Sequence, residues 1–493
     1  MYWLGIDVGT GGTRALLIDE HGKVRHAYTA PHEEMRMERP LWAEQRPENW
    51  WDATQLAVQG VLAQAGGGND VRGVGLSGQM HGLVLLDDAD RVIRPALIWC
   101  DQRSQAQVDA INQAVGKEFV LASTANPVLT GFTLPKLLWV RDHEPALFAR
   151  VRKLLLPKDY VRFRLTGEYA SDVSDASGTA LFDVVRRRWS YEFASRLGID
   201  RGILPAVNES VVVTGQVTPG AAAATGLMPG IPVVAGAGDQ AASAVGNGIV
   251  EPGLVSCTIG TSGVVFAHIA QPAYDPAGRV HTFCHAVPNA WHVMGVTQGA
   301  GLSLQWFRNQ LAPGAEYDAL TAEAAHASAG SNGLYWLPYL MGERTPHLDA
   351  AVRGGWVGLT ASHTRADLIR SLLEGVSYSQ KDCLEVIEQM GAPVTSVRVS
   401  GGGARSLFWR QMLADVFGKR VVVLETQEGS AYGAALQALV GTGEYGSVGE
   451  LCRAAIHEVD SIEPQAGERE IYERGHRAYQ SLYPALRGFY HST

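Results

Sequence analysis

The sequence lacks several features that would place it in other classes of protein. It has five cysteines in 493 residues, scattered singly at Cys100, Cys257, Cys284, Cys383 and Cys452. This pattern argues against a disulfide framework or a zinc ribbon and favours a reducing cytoplasm. No run reaches the roughly 18 apolar residues of a membrane helix. The N-terminal residues enter a strand pattern without a preceding basic segment, so no signal peptide is predicted.

An excess of positive charge is also absent. The formal net charge is -9 at pH 7, so neither nucleic acid nor an anionic membrane is expected as the main partner. No G-x-x-x-x-G-K-[ST] segment occurs, which disfavours a P-loop fold. Apolar residues make up 46% of the chain and charged residues 18%, as in ordinary globular proteins. A chain of this length is expected to form two domains of more than about 200 residues, or three smaller ones.

A glycine turn that contains Asp239 is the first candidate for chemistry. Ile231–Ala235 is predicted to be a buried strand, Gly236-Ala237-Gly238 a tight turn, and the alanine-rich segment after it a helix. A carboxylate at a strand-to-helix turn faces the crevice where parallel sheets bind ligands. We hypothesise that Asp239 takes a proton from a sugar hydroxyl. An ordinary turn residue and a loose dinucleotide fingerprint, matched also at Gly73–Gly78, are the alternatives.

A turn rich in glycine and threonine occurs twice, each time between two predicted strands. The first copy is Gly9-Thr10-Gly11-Gly12-Thr13 and the second is Gly260-Thr261-Ser262-Gly263. Small residues let backbone N–H groups and hydroxyls reach phosphate oxygens. Asp7, which ends the strand before the first turn, could hold a metal ion on those phosphates. Either copy alone could be a plain hairpin. The repeat indicates two similar domains that clamp phosphates between them, as phosphoryl transfer requires.

Three further segments are candidates for binding. Gly401-Gly402-Gly403 follows a predicted strand and precedes a helix from about Ser406, so a flat base can lie on it while the helix N-terminus favours phosphate. Ser77-Gly78-Gln79-Met80-His81-Gly82 follows the strand Val71–Leu76, and His81 can exchange hydrogen bonds with hydroxyls. A structural role is the alternative for this histidine. Trp99-Cys100-Asp101 offers an aromatic ring beside a carboxylate, which suits a sugar but also a solvated loop.

Three further predictions concern two strands, a pair of histidines and the domain boundary. Leu83–Leu86 and Val92–Trp99 are predicted to continue the sheet that contains Val71–Leu76. His281 and His285 have the spacing of helical metal ligands, yet their surroundings predict strand and turn, so a metal there is disfavoured. Glu251-Pro252-Gly253 is predicted to be a junction, which puts the domain boundary near 245–252.

The glycine motifs together resemble the two phosphate motifs and the adenosine motif of the actin-like sugar kinases. Gly131–His143 is similar to a signature of the FGGY carbohydrate kinase family, and Gly354–Glu374 resembles its second signature more loosely. The resemblance covers nearly the whole chain in the right order. It implies an α/β fold of two ribonuclease H-like domains, 1–247 for the sugar and 248–493 for the nucleotide. ATP and Mg²⁺ would occupy the cleft between them.

Within the family, Gly78–Gly82, Leu41–Gln45 and Trp50-Trp51 resemble the members that phosphorylate D-xylulose at its 5-hydroxyl in pentose catabolism. The resemblance implies that Asp239 is the general base and that Asp7 lies near magnesium, directly or through water. It implies sugar contacts from Met80 and His81 and weaker ones from Asp101 and Gln240. The implied nucleotide contacts are Thr10, Gly11, Gly12, Thr13, Gly260, Thr261, Ser262, Gly401, Gly402 and Gly403.

Two departures leave the sugar open. Cys100 and Gln240 stand where many of these relatives have asparagine, so L-ribulose, D-ribulose, glycerol and gluconate remain alternative acceptors. Two other classes compete with a sugar kinase. A nicotinamide dehydrogenase would bind its cofactor at Gly236–Ala241, and an actin-like ATPase module would hydrolyse ATP without sugar stimulation. The expected partners are a small sugar and ATP in the cytoplasm, and a homodimer is among the assemblies left open.

Overall fold

Two seven-stranded mixed sheets, one from each half of the chain, form the frame of the protein. The structure is a computed structural model that describes residues 1–426 and 428–492. Thr493, the end of the predicted second domain, lies outside the described residues. Helices pack against both sheets, so the predicted α/β class is confirmed.

The first half contains fifteen of the strands and ten of the α-helices. Its strands are β1 (Tyr2–Val8), β2 (Gly12–Ile18), β3 (Val24–Pro31), β4 (Glu44–Gln45), β5 (Val71–Gly78), β6 (Val84–Leu86), β7 (Ala96–Leu97), β8 (Lys153–Leu155), β9 (Ala170–Asp172), β10 (Phe182–Asp183), β11 (Arg188–Trp189), β12 (Ala206–Asn208), β13 (Val213–Gln216), β14 (Pro232–Val234) and β15 (Ala237–Gly238). Its helices are α1 (Pro47–Ala65), α2 (Gln105–Val115), α3 (Lys117–Thr124), α4 (Thr133–His143), α5 (Pro145–Phe148), α6 (Pro157–Thr166), α7 (Val173–Ala176), α8 (Tyr191–Arg196), α9 (Pro219–Thr225) and α10 (Asp239–Gly246).

The second half contains the remaining elements. Its strands are β16 (Gly253–Ile259), β17 (Gly263–Ile269), β18 (His281–Cys284), β19 (Trp291–Thr297), β20 (Tyr335–Leu337), β21 (Gly355–Val357), β22 (Val394–Ser400), β23 (Arg420–Leu424) and β24 (Glu458–Ile462). Its helices are α11 (Gly301–Leu311), α12 (Tyr317–Ala324), α13 (Arg365–Gln389), α14 (Leu407–Phe417), α15 (Gly429–Gly441), α16 (Val448–Ala455) and α17 (Ala466–Tyr490). Among the described residues, no helix has the length and apolar character needed to cross a bilayer.

The two sheets repeat one topology. In the first, β1 is antiparallel to β2 and parallel to β5, in the order β3-β2-β1-β5-β14-β13 with β15 also beside β5. In the second, β16 is antiparallel to β17 and parallel to β22, in the order β18-β19-β17-β16-β22-β23-β24. The repeat predicted from the two glycine turns is therefore confirmed as a structural repeat.

The prediction that Leu83–Leu86 and Val92–Trp99 extend the first sheet is wrong. β6 pairs with β8, and β7 pairs with β4, in two small separate sheets. The edge of β5 away from β1 is already occupied, since β14 and β15 hydrogen-bond to it. No free edge remains beside β5, so these apolar segments pair elsewhere.

Helix α15 belongs to the second half in sequence but packs on the first sheet. Its Gly433 crosses α10 so closely that a Cβ atom there would collide with the carbonyl oxygen of Ala242. Gly5 of β1 and Gly75 of β5 meet the backbone of α15 in the same way, at Ala431 and Ala434. The small residues of α15 thus permit backbone contact, and this contact joins the second half of the chain to the first sheet.

Candidate active site

Three neighbouring strands bring the two predicted carboxylates to one edge of the first sheet. β5 lies between β1 and β15, so that Ser77 pairs with Asp7 on one side and with Ala237 on the other. The strands are parallel, and β15 leads directly into Asp239, the first residue of α10. Residues that lie far apart in sequence therefore meet at the carboxyl ends of parallel strands.

The electrostatics of Asp239 suit a proton acceptor. Loss of hydration raises its pKa to about 7, and the negative charge of Asp7 adds to this rise. Hydrogen bonds from Gln240 oppose the shift. A carboxyl with a pKa near neutrality is better matched to proton transfer than an ordinary aspartate. Gln240 thus lies beside Asp239, while its predicted sugar contact stays a prediction.

Asp7 has room for a cation. Its Oδ1 atom is buried and has no hydrogen-bond partner among the described residues. Burial raises its pKa to about 6, against the opposing effects of Ser77 and Arg14. Arg14 lies opposite Asp7 in the register of the β1–β2 pair. The Nε of Arg14 donates to Glu428 at 2.9 Å. A hard oxygen ligand without a partner, beside a phosphate hairpin, fits magnesium.

Met80 and His81 lie against the loop that carries Asp239. A Cβ atom on Gly238 would approach Met80 Cγ at 2.9 Å, so Met80 packs directly on this turn. The His81 ring hydrogen-bonds through Nδ1 to the carbonyl of Gly178 at 2.7 Å and stacks on Phe132 at 4.7 Å. Burial lowers the pKa of His81 to about 3, so the ring is neutral near pH 7. Because Nδ1 donates its proton to the Gly178 carbonyl, the other nitrogen, Nε2, is an acceptor.

The segment Gly131–His143, which resembles the family signature, holds the backbone of the loop Ser77–Gly82, the predicted sugar loop. His81 has φ +69°, a left-handed conformation that non-glycine residues seldom adopt. Its carbonyl oxygen accepts hydrogen bonds from Thr133 Oγ1 and Lys136 Nζ, both at 3.1 Å. Burial lowers the pKa of Lys136 to about 7. Sequence reasoning matched this segment to a signature without finding the task of Lys136, although a lysine within an apolar helix was the available sign.

Asp101 is placed differently from the other predicted contacts. It is fully buried. Its Oδ2 accepts the N–H of Ala43 at 2.7 Å and pairs with Arg103 at 2.7 Å. The carboxylate therefore holds local structure, and its contact with a sugar stays a prediction.

Side chains hold the turn of the first glycine hairpin, Gly9–Thr13, which is the first predicted phosphate hairpin. Gln45 Nε2 donates to the Thr10 carbonyl at 2.7 Å, and Trp99 Nε1 donates to Thr10 Oγ1 at 3.0 Å. Gln79, from the sugar loop, accepts the Thr10 hydroxyl at 3.2 Å. Thr13 is buried with its hydroxyl 2.8 Å from His32 Nε2, so it anchors the turn. At Gly11 a Cβ atom would meet nothing within 4 Å, which leaves the outer side of the turn open.

The second hairpin is held by backbone. The N–H groups of Gly301 and Leu302, at the start of α11, donate to the carbonyls of Gly260 at 2.7 Å and Thr261 at 3.1 Å. Gly401 has φ +83°, and a Cβ atom there would approach the carbonyl oxygen of Ile259 at 2.5 Å. The structure thus brings the predicted adenosine loop against the second hairpin. Gly402 has no neighbour within 4 Å of a Cβ position, and Ser262 lies at the tip of the exposed turn.

His281 and His285 are buried and structural. His285 Nε2 is 2.9 Å from the carbonyl of Ile249, and its Nδ1 accepts the N–H of Val287 at 3.1 Å. His281 lies on β18 with Nδ1 3.3 Å from Asn126 Oδ1. Among the residues that the structure describes, neither belongs to a group of three metal-ligating side chains.

The predicted site residues thus form two groups. Asp7, Asp239 and the loop Ser77–Gly82 meet at one edge of the first sheet, and Gly401 of the triglycine loop lies against the second hairpin. Residues 2–246 match the N-terminal domain of the FGGY family of carbohydrate kinases, and residues 255–442 match its C-terminal domain. The chain belongs to this family.

Relatives agree over nearly the full length. The chain is 41% identical to the xylulose kinase of Escherichia coli over 98% of this chain and 99% of that protein. It is 39% identical to the xylulose kinase of Bacillus subtilis over 98% and 96%. The solved structure of xylulose kinase from Rhodospirillum rubrum superimposes with a TM-score of 0.93 at 32% identity and covers 100% of both chains. The two-domain kinase fold is therefore established, and the chain is a sugar kinase.

Proposed function

We propose that this kinase transfers the γ-phosphoryl group of ATP to the 5-hydroxyl of D-xylulose. The observation that carries the proposal is the position of Asp239, at the same sheet edge as the loop Ser77–Gly82, which follows β5, and the first glycine hairpin, which follows β1. The name shared by the relatives supports D-xylulose as the acceptor. In this proposal residues 1–247 bind the sugar and residues 248–493 bind the nucleotide.

Binding and orientation come first. Met80 offers an apolar surface, and the neutral ring of His81 offers one hydrogen-bonding nitrogen to a sugar hydroxyl. Asp101 and Gln240 complete the proposed sugar contacts. The backbone N–H groups and hydroxyls of Thr10, Gly11 and Gly12 face those of Gly260, Thr261 and Ser262 across the phosphates.

Proton transfer follows from the placement of Asp239. Its carboxylate orients the 5-hydroxyl and accepts the proton as the new O–P bond forms and the bond to the leaving ADP oxygen breaks. Asp7 would hold magnesium, directly or through water, and that ion supplies positive charge to the phosphoryl oxygens when bound. Closure of the two halves around α15 excludes water, which would otherwise accept the phosphoryl group.

The experiment is a coupled assay of ADP release with MgATP and a panel of D-xylulose, D-ribulose, L-ribulose, glycerol and gluconate. D-Xylulose is expected to stimulate ADP release most. Asp239→Asn should lower kcat about 10² to 10⁴-fold because it removes the proton acceptor, while ADP still binds. Asp88→Asn, at an exposed aspartate, is the matched control and should behave as wild type.

Each other outcome has a defined meaning. Preference for another sugar would overturn the acceptor and keep the mechanism. ATP hydrolysis without stimulation by any sugar would overturn the kinase proposal in favour of an ATPase module. We also propose a cytoplasmic location, supported by five free cysteine thiols. A homodimer stays a prediction that sedimentation would test.

A further inference from the structure

A buried polar chain lies behind the loop that carries Asp239. The Oγ of Ser174 accepts the backbone N–H of Gly238 at 3.1 Å. The same hydroxyl donates to Asp172 Oδ2 at 2.5 Å. Gly238 is joined to Asp239 by one peptide bond, so this contact supports the proposed base from its N-terminal side, while Ser430 Oγ donates to the carbonyl of Asp239 itself at 3.0 Å.

Asp172 is itself held from several directions. Its Oδ1 pairs with Lys158 Nζ at 2.9 Å, and its Oδ2 accepts the hydroxyl of Ser210 at 3.0 Å. The carbonyl of Ser210 in turn accepts the N–H of Gly236 at 3.0 Å. All of these side chains have no solvent exposure. The loop is therefore gripped at Gly236 and at Gly238 by one connected network, which makes it rigid.

The network is costly for a purely structural element. Lys158 also pairs with Asp159 at 2.5 Å and lies 3.6 Å from Asp175. Both carboxylate oxygens of Asp175 are buried and have no hydrogen-bond partner among the described residues. Buried charges of this kind stabilise a fold poorly compared with apolar packing. Their concentration behind Asp239 indicates a purpose at the active site.

We propose that Ser174, held by Asp172 and Lys158, is a positioning residue that sets the Asp239 carboxylate by fixing the Ala237–Gly238 peptide, which directly precedes the Gly238–Asp239 peptide. This inference rests on the proposed function, because it takes Asp239 as the base. Two glycines give the turn backbone freedom, and Gly236 has φ +80°. Without the hydrogen bond to Ser174 the carboxylate would lose its alignment with the acceptor hydroxyl. A displacement of about 1 Å lowers a rate about 10²-fold.

Steady-state kinetics of Ser174→Ala in the full-length kinase test this role. The substitution is expected to lower kcat between about 10-fold and 100-fold, while KM for the sugar and Kd for MgADP change less than about 2-fold. Ser174→Thr keeps the hydroxyl and should recover most of the loss. Ser177→Ala is the matched control, because Ser177 is equally buried, donates to the Val173 carbonyl at 2.7 Å and accepts the N–H of Cys284 at 3.0 Å. Its kcat should stay near that of wild type.

A double-mutant cycle tests whether Asp172 acts through Ser174. Asp172→Asn combined with Ser174→Ala should cost no more than the larger single effect, because the residues act in series. Wild-type kcat in Ser174→Ala, or an equal loss in Ser177→Ala, would overturn the inference. Retained activity in Asp239→Asn would overturn it together with the proposed base. Preference for another sugar would overturn only the acceptor, because kcat is measured with the best acceptor in the panel.

Discussion

The two copies of the repeated hairpin differ at one decisive position. Asp7 is the penultimate residue of β1, two residues before Gly9, and Thr258 holds the corresponding place in β16, two residues before Gly260. Each pairs with a serine on the parallel neighbour, Ser77 in the first sheet and Ser400 in the second. The Thr258 hydroxyl is bound to Ser400 Oγ at 2.9 Å, whereas Asp7 Oδ1 has no hydrogen-bond partner in the part of the chain that the structure describes. The first copy therefore presents a buried carboxylate oxygen at this position, and the second presents a hydroxyl that is already hydrogen-bonded.

The loops that follow these serines differ in the same sense. After Ser77 the chain continues with the bulky polar loop Gln79-Met80-His81, and after Ser400 with the triglycine Gly401-Gly402-Gly403. Side chains on the first loop can read the hydroxyl pattern of a sugar, and a bare backbone on the second leaves space for a flat base. The duplicated topology thus carries two loops of different chemical character, one with large side chains and one with bare backbone.

Substitution of the residue that differs between the two hairpins should have the largest effect when it is made at Asp7. Asp7→Asn is expected to lower kcat at least about 100-fold, because it removes the charge that holds the cation on the phosphates. Thr258→Val, the matched substitution in the second copy, removes one hydrogen bond and should cost less than about 10-fold. Steady-state ADP release with saturating MgATP measures both. Equal losses at the two positions would contradict the asymmetry.

The two sheets are also covered differently, since the first depends on a helix from the other half. Gly433→Ala places a methyl group against the carbonyl of Ala242 and should lower the free energy of unfolding by about 1–3 kcal/mol. Gly488→Ala is the control, because Gly488 lies exposed in α17 and a Cβ atom there meets nothing within 4 Å. It should raise that free energy by about 0.5–1 kcal/mol. Urea unfolding measures both free energies. Unchanged stability in Gly433→Ala would show that α10 and α15 can move apart enough to accommodate a methyl group.

The triglycine loop can be tested without disturbing the fold. Gly402→Leu is expected to raise the Kd for ATP about 10-fold, because the side chain occupies open space above the backbone where the base is proposed to lie. KM for the sugar and the melting temperature should stay unchanged. Isothermal titration with MgADP measures the affinity. Wild-type affinity would place the base elsewhere.

The last prediction concerns stability in acid, to which a buried histidine of the second sheet contributes. Burial lowers the pKa of His292 to about 3, well below its value in an unfolded chain. The unfolded state therefore binds a proton below about pH 6.5 that the folded state does not, so stability is lost as pH falls. His292→Phe should reduce the loss of unfolding free energy between pH 7 and pH 5 by about 2 kcal/mol.

Two features make this substitution clean. The His292 ring stacks on Phe266 at 4.2 Å, so a phenyl ring suits its surroundings. His21→Gln, at an exposed histidine, is the control and should leave the pH dependence unchanged. Urea unfolding at pH 7 and pH 5 measures the change in unfolding free energy. A change in His292→Phe equal to that of the wild type would contradict the role given to His292.

Much of the site was predictable because its motifs are local. A strand followed by a turn of small residues is a local pattern, so the positions of both hairpins and of the triglycine loop could be predicted from the sequence. Helix α1 begins at Pro47 and ends at Ala65, where a proline in the first turn and apolar residues at helical spacing indicate a helix. The supports of these motifs were not predictable. Lys136 and Ser174 act on carbonyl and N–H groups that are distant in sequence, and backbone groups carry no sequence pattern that would identify their partner.

The sequence by itself determined the duplicated strand–turn–strand order, the candidate carboxylates and the membership of a kinase family. These depend on residue type and short spacing, which steric and hydrogen-bonding rules translate directly into local structure. Only the tertiary structure decided that Asp7 and Asp239 share one sheet edge, that Asp101 is engaged with Arg103, and that α15 crosses to the first sheet. Such outcomes depend on which strand edges remain free and which glycines allow two backbones to touch. Both are settled by packing between segments hundreds of residues apart.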